Sequence, residues 1–405
     1  MARLGVDFGT SNTGAAVMAG GRPYAIPLEP GEQTLPTAIF VDFAERKYLY
    51  GSRAARAMMD GAEGRFMRAL KSILGTPLAR EPRRLLNERL TLIEVIARFL
   101  SEIRSRAETH TGMTFDTALS GRPVHFHSAS AERDAQALGD LTEAYHLAGF
   151  KSVDFLPEPE AAARAVDGTG RMLIVDIGGG TSDFTLCERD GGQTRVLASG
   201  GIRLGGTDFD KALSLGHVMP LLGYGAQIGA ELGAKTHTAP RALFHDLASW
   251  EKIPFVYDAG QLREVQKWIR LAPEPRGFER LADVLESHLG HDIAYAVEAG
   301  KIAANGAEAG EIALGVVERG LSVSLKAEAL TAALAGYGDE IADCALDTLR
   351  MADCAPDKVD QVVYVGGSSL LGAVRNAMSR ALPNAKPVDS EVFTAVVHGL
   401  AIAAE

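Results

Sequence analysis

The sequence predicts an α/β fold made of two similar lobes, and three observations carry that reading. A short apolar strand, Leu4-Gly5-Val6-Asp7-Phe8, turns through Gly9-Thr10-Ser11-Asn12 and returns as Gly14-Ala15-Ala16-Val17-Met18. The scheme recurs in mid-chain: Met172-Leu173-Ile174-Val175-Asp176-Ile177, the turn Gly178-Gly179-Gly180-Thr181, and an alternating strand over residues 183–188. Asp7 and Asp176 stand 169 positions apart, about one domain length. Duplication of one α/β unit, with one hairpin per lobe, is the simplest source of the pattern.

The remaining elements follow in order. Residues 20–60 are mixed and punctuated by Pro and Gly, ending in a small-residue helix near 52–60. A stronger helix spans 91–108, where Leu92, Ile96, Phe99 and Ile103 recur at helical spacing and Thr91 with Glu94 makes a capping box. Strand and turn return over 118–126, and an amphipathic helix over 131–148 stops at Gly149. Val153-Asp154-Phe155-Leu156 leads through Pro157-Glu158-Pro159 into an Ala-rich helix over 160–166, with Gly168 and Gly170 marking a boundary. After the second hairpin, residues 207–310 read as mostly helical. Val362-Val363-Tyr364-Val365 is a buried strand that turns through Gly366-Gly367-Ser368-Ser369 into a helix, and a last helix covers 392–403. The first lobe is therefore expected over 1–168 with an inserted part at about 28–118, and the second over 169–405 with an insert at about 207–310.

The bulk numbers narrow the function classes. The chain has 405 residues, 46% hydrophobic and 23% charged, with a formal net charge of −11 and no Lys/Arg block. General binding of nucleic acid or of an anionic membrane needs a concentrated basic face, so neither is expected. Cys187, Cys344 and Cys354 form no CxxC pair, which fits a reducing compartment and argues against structural zinc. With no signal region and no apolar run of about 18 residues, a cytoplasmic location is the expectation.

The two Gly turns have a chemistry in common. A triphosphate needs convergent N–H donors, a divalent cation and nothing bulky against its oxygens. Glycines allow successive amides to point at an anion, and a Thr or Ser hydroxyl adds a donor. A carboxylate beside phosphates is repulsive unless a cation intervenes, so Asp7 and Asp176 facing across a cleft suit hydrated Mg²⁺. One such turn alone could be a plain tight turn. The matched pair, with Asp and Thr at equivalent places, makes that bland reading much weaker. The site is neither a Walker A loop nor a dinucleotide fingerprint, because a strand rather than a helix follows the glycines.

These motifs resemble the actin-like ATPase superfamily, and within it the ATPase domain of the DnaK-type heat shock protein 70 family. Residues 5–12 resemble its first phosphate motif and 175–184 its second. Leu204-Gly205-Gly206-Thr207-Asp208-Phe209-Asp210 resembles its LGGxDFD segment, residues 362–369 its adenosine motif, and Glu158-Pro159-Glu160-Ala161-Ala162-Ala163 its connecting helix. Lys71-Ser72-Ile73-Leu74-Gly75 falls where the family has a catalytic lysine, and Arg122-Pro123 where it has a strand end coupled to lobe movement.

The resemblance implies ribonuclease-H-like lobes with ATP or ADP between them. It implies that Asp7 and Asp176 hold Mg²⁺, that Gly9, Thr10, Ser11, Asn12 and Gly178, Gly179, Gly180 and Thr181 contact phosphates, and that Lys71 approaches the γ-phosphate. Glu158, Asp183 and Thr181 would orient the attacking water. Gly205 and Gly206 would adjoin the nucleotide, Glu298 and Lys301 the ribose, and Gly366, Gly367 and Ser368 the adenosine. Ile302 and Leu370 fall where the family stacks arginines on adenine, so the platform here would be aliphatic. Taken alone, Lys71 reads as a solvated lysine, Glu158 as an acid at a helix start, and Glu298 with Lys301 as an i,i+3 surface pair. His125 and His127 read as structural rather than as metal ligands.

The family's interdomain linker, β-sandwich and helical lid have no counterpart in the sequence. The expectation is thus a short, YegD-like member without a built-in peptide-binding domain. The function expected is slow Mg-dependent ATP hydrolysis that signals, chaperone-like, to a protein partner. A nucleotide-dependent filament, as in bacterial actin homologues, is the alternative, and a small-molecule kinase on the same fold is a third.

Overall fold

The computed structural model describes residues 2–166, 169–190, 193–230, 236–389 and 394–405. The boundary expected at Gly168 and the start of the last predicted helix, at 392, lie outside the described residues. The architecture is mixed α/β, and the chain divides into two compact units, Met1–Gly206 with Tyr337–Glu405, and Thr207–Gly336.

The first unit contains two sheets that repeat one topology. One runs, in spatial order, Ser152–Pro157, Thr117–Arg122, Arg3–Phe8, Asn12–Ala19 and Arg22–Ala25, with Thr34–Pro36 also paired to Asn12–Ala19. The other runs Lys386–Asp389, Gln361–Val365, Gly170–Ile177, Ser182–Asp190 and Gln193–Ile202. In each, the first strand in sequence is central. An antiparallel hairpin extends it on one side and parallel strands join it on the other. Both predicted hairpins form, with Asp7 opposite Gly14 and Asp176 opposite Asp183. The central strands are almost wholly buried, as expected of strands covered on both faces.

Between Arg22–Ala25 and Thr117–Arg122 the chain makes a separate three-stranded sheet, Lys47–Tyr50, Ala38–Asp42 and Gly64–Arg68. The helix Leu92–Thr111 follows. Its predicted capping box is present: Glu94 N donates to Thr91 Oγ1 at 3.2 Å, and Thr91 N donates to Glu94 Oε2 at 2.7 Å. Gly112, at φ 69°, ends it. The helix Ala131–Leu147 starts on a Ser130 cap.

Two small-residue helices join the sheets. Glu158–Ala165 begins two residues earlier than the sequence pattern suggests, because Pro159 in the first turn lacks an N–H that would be unsatisfied anyway. Ala395–Ala403 packs against it so closely that a Cβ on Gly399 would lie 1.7 Å from the Ala161 carbonyl oxygen. Around them one apolar cluster takes Leu119 from the first sheet, Met172, Ile174 and Val363 from the second, and Ala161 and Leu400 from the helices. Large side chains would push the sheets apart here, so the Ala-rich composition of both helices is a packing requirement.

The second unit is mainly helical. It includes Ala242–Leu247, Ala259–Leu271, Arg276–Glu286 and Gly290–Gly306, with hairpins Gln227–Gly229/Thr236–Thr238 and Ala309–Ala313/Ser322–Lys326. Phe244, Trp250, Phe278 and Val297 are buried in it. The unit covers Thr207–Gly336.

Candidate functional site

The first turn needs glycine for a steric reason. A Cβ on Gly9 would lie 2.2 Å from the Asn12 carbonyl oxygen, so only glycine lets the chain reverse this tightly. Thr10 is buried, and the Ser11 carbonyl accepts from Thr37 N at 2.9 Å. The second turn closes with Gly178 N donating to the Thr181 carbonyl at 3.0 Å.

The two turns meet. A Cβ on Gly179 would lie 2.5 Å from Ser11 Oγ, and one on Gly180 would lie 2.9 Å from Thr10 Oγ1 and 3.1 Å from Ser72 Oγ. Gly205 and Gly206 back the second turn. Gly206 N donates to the Gly178 carbonyl at 3.0 Å, and Ser182 Oγ donates to the Leu204 carbonyl at 2.7 Å. A Cβ on Gly205 would fall 2.7 Å from Gly180 N and 2.8 Å from Thr181 N. A side chain there would collide with the backbone of the second turn, so only glycine lets this segment pack against it.

The order of contacts gives the second turn a direction. A Cβ on Gly206 would lie 2.5 Å from Ser368 Oγ, placing the Gly366-Gly367-Ser368 turn near the Gly178 end. Gly366 has φ 77°, and its Cβ position is 2.7 Å from Asp176 Oδ1. The Gly180 end is the one beside Thr10 and Ser72. A small open pocket lies at that end, lined by Thr10, Lys71, Gly180, Thr181, Phe126 and Arg203 among others.

Four carboxylates gather around one ammonium. Lys71 is only 6% exposed, and its Nζ donates to Glu158 Oε1 at 2.5 Å. Burial opposes its charge, but Glu158, Asp7 and Asp183 outweigh that and raise its pKa. Asp183 is buried and accepts from Val124 N at 2.6 Å. Its pKa is pushed up to about 7 by burial and then by Glu158, against the pull of the Thr181 and Val124 hydrogen bonds and Lys71. Asp7, half-buried by area, is likewise pushed up to about 7, by burial of the carboxyl and by Glu158, with Lys71 opposing. Asp176 is held well above the carboxylate range by burial, Glu158, Asp183 and Asp7.

With every group ionised the cluster is three charges negative, one lysine against Asp7, Glu158, Asp176 and Asp183. Such a site repels a polyanion and attracts a cation. Asp7 and Asp176 therefore fit a hydrated divalent ion. Among the described residues no group of three or more His, Cys, Asp or Glu side chains is arranged to hold a metal directly. Water-mediated holding by one or two carboxylates is the mode Mg²⁺ ordinarily adopts.

The other predicted residues are placed as follows. Glu298, Lys301 and Ile302 lie on Gly290–Gly306 in the second unit. Lys301 is buried, its Nζ donating to Asp210 Oδ1 at 2.6 Å, and Asp210 also accepts from Trp250 Nε1 at 3.1 Å. Ile302 is 64% exposed and Leu370, beside Ser368, is 44% exposed. His127 Nε2 bonds the Leu74 carbonyl at 2.7 Å, a structural contact.

Sequence reasoning passed over several participants. Asp140, wholly buried, accepts from Gly75 N at 2.9 Å and from the Arg80 guanidinium, fixing the turn after Lys71. Ser72, Val124 and Arg203 also line or brace the site. The available signals were the left-handed turn glycine Gly75 and a basic residue directly before Leu204-Gly205-Gly206. A family model described as Hsp70 protein matches residues 82–222, about a third of the chain, a stretch that includes Glu158, Asp176, the second turn, Asp183, Gly205 and Gly206.

Proposed function

We propose, from the match of the Hsp70 protein family model to residues 82–222, that this chain is a slow Mg-dependent ATPase of that family. The observation that carries the reading is the junction of the two Gly turns beside four carboxylates and one buried lysine. Phosphoryl transfer asks for positioning and charge neutralisation rather than elaborate covalent chemistry, and these residues supply both.

In this reading Gly9, Thr10, Ser11, Asn12 and Gly178–Thr181 hold the phosphates as a cradle. The terminal phosphate lies at the Gly180 end, and the adenosine at the Gly366, Gly367, Ser368 and Leu370 end. Mg²⁺, held through water by Asp7 and Asp176, would neutralise charge on the phosphate oxygens. Lys71 is locked against Glu158, so its ammonium is presented without conformational search. Asp183, poised at about 7, can take a proton from water near neutral pH, with Glu158 and Thr181 helping to orient that water.

The two helices joining the sheets give the nucleotide a way to reach the rest of the protein. Glu158 begins one of them, so a change at the phosphate end is transmitted to Glu158–Ala165 and from there to Ala395–Ala403. We assign the output to a protein partner in the cytoplasm and read the molecule as a chaperone-related switch. Phosphate release should be slow but measurable for the wild type, and at least tenfold slower for Lys71→Ala. If neither protein releases phosphate above background, the ATPase reading fails.

A further inference from the structure

Arg203 stands immediately before Leu204-Gly205-Gly206 and lines the same pocket as Thr10, Lys71, Gly180 and Thr181. Its backbone is fixed to the second turn, through Ser182 Oγ on the Leu204 carbonyl and Gly206 N on the Gly178 carbonyl. Its side chain reaches the other way: Nη2 donates to the Ser72 carbonyl at 2.9 Å, next to Lys71. A guanidinium has five N–H donors in a planar fork, and the bond to Ser72 uses one.

The charge state of the pocket makes this placement informative. Lys71 is already neutralised by Glu158 at 2.5 Å. Among the described residues Arg203 has no carboxylate partner, so it is the cation of the pocket lining that is left to meet an anion. Arg203 is exposed, so its remaining donors are open to solvent or to a ligand in the pocket.

We propose that Arg203 is a second cation for the terminal phosphate, binding its oxygens with donors that Ser72 does not use. The pocket lies at the Gly180 end of the cradle, away from Ser368, so Arg203 meets only the last phosphate. It therefore makes the site prefer a triphosphate to a diphosphate. It also ties the Lys71 turn to the second Gly turn when that phosphate is present. This rests on the reading that ATP lies along the two turns.

The test is calorimetric titration of ADP and of the β,γ-imido analogue of ATP, both with Mg²⁺, into wild type, Arg203→Ala, Arg203→Gln and Arg203→Lys. Gln retains a donor for the Ser72 carbonyl and removes the charge. We expect Ala and Gln to weaken the triphosphate analogue by about tenfold or more, the scale of a charge-assisted bond, while ADP changes by less than about twofold. Lys should keep part of the preference. If Ala and Gln weaken both nucleotides equally, or neither, Arg203 is only a latch and the inference is overturned. If the wild type binds neither nucleotide, the ATPase reading itself fails and takes this inference with it.

Discussion

At the residue scale, buried charge organises the site. Lys71 is tolerated inside because Glu158 meets it directly and two aspartates add attraction. Asp183 has no such direct cation, and its shift carries a stability consequence with a definite sign. Its folded pKa of about 7 lies above the ordinary unfolded value of about 3.9, so the folded state binds the extra proton between those pH values. Stability from this group is therefore lost as pH rises through that window. Without nucleotide or divalent ion, the unfolding free energy of wild type relative to Asp183→Asn should fall by a few kcal/mol between about pH 4 and pH 8. Urea titrations of both proteins across that range measure it. A flat or rising difference would mean that Asp183 is not the desolvated carboxylate described here.

At the scale of elements, the contact between Glu158–Ala165 and Ala395–Ala403 matters most, since it joins the sheets and carries Glu158. Gly399 is the tightest point. An added methyl would fall 1.7 Å from the Ala161 oxygen and force the helices apart. Gly399→Ala should cost about 3 kcal/mol, at the upper end of ordinary overpacking, although alanine is the better helix former. Chemical denaturation checks the stability. Phosphate release at a temperature where the variant is folded should also drop, because Glu158 shifts with its helix. A variant as stable as wild type would show that the pair is looser than its geometry. The capping box at Thr91 and the hairpin turns were legible in the sequence because each depends on residues a few positions apart. The end of the second unit was not, because it falls inside one uninterrupted helix, Ala327–Met351, which Gly336 and Gly338 do not break.

At the scale of the whole molecule, the two sheets share one strand order, and each carries one of the two Gly-turn hairpins visible in the sequence. The meeting of the two Gly turns beside Asp7 and Asp176 could be read ahead because glycines and aspartates recur at matched places. The cations of the site could not be read so directly. A lone lysine or arginine in sequence is exposed by default, and only folding shows that Lys71 is buried against Glu158 and that Arg203 lines the pocket. Lys301 is a similar case, since its buried partner Asp210 lies far away in the chain. The central claim is that a site with four carboxylates around one buried lysine accepts ATP only together with a divalent cation bound near Asp7 and Asp176. Calorimetric titration of ATP with Mg²⁺ and then with EDTA tests it most directly. Binding in Mg²⁺ that weakens at least about tenfold in EDTA, and becomes Mg-insensitive in Asp7→Asn/Asp176→Asn, is the expected result. Equal affinity for ATP in Mg²⁺ and in EDTA would contradict it.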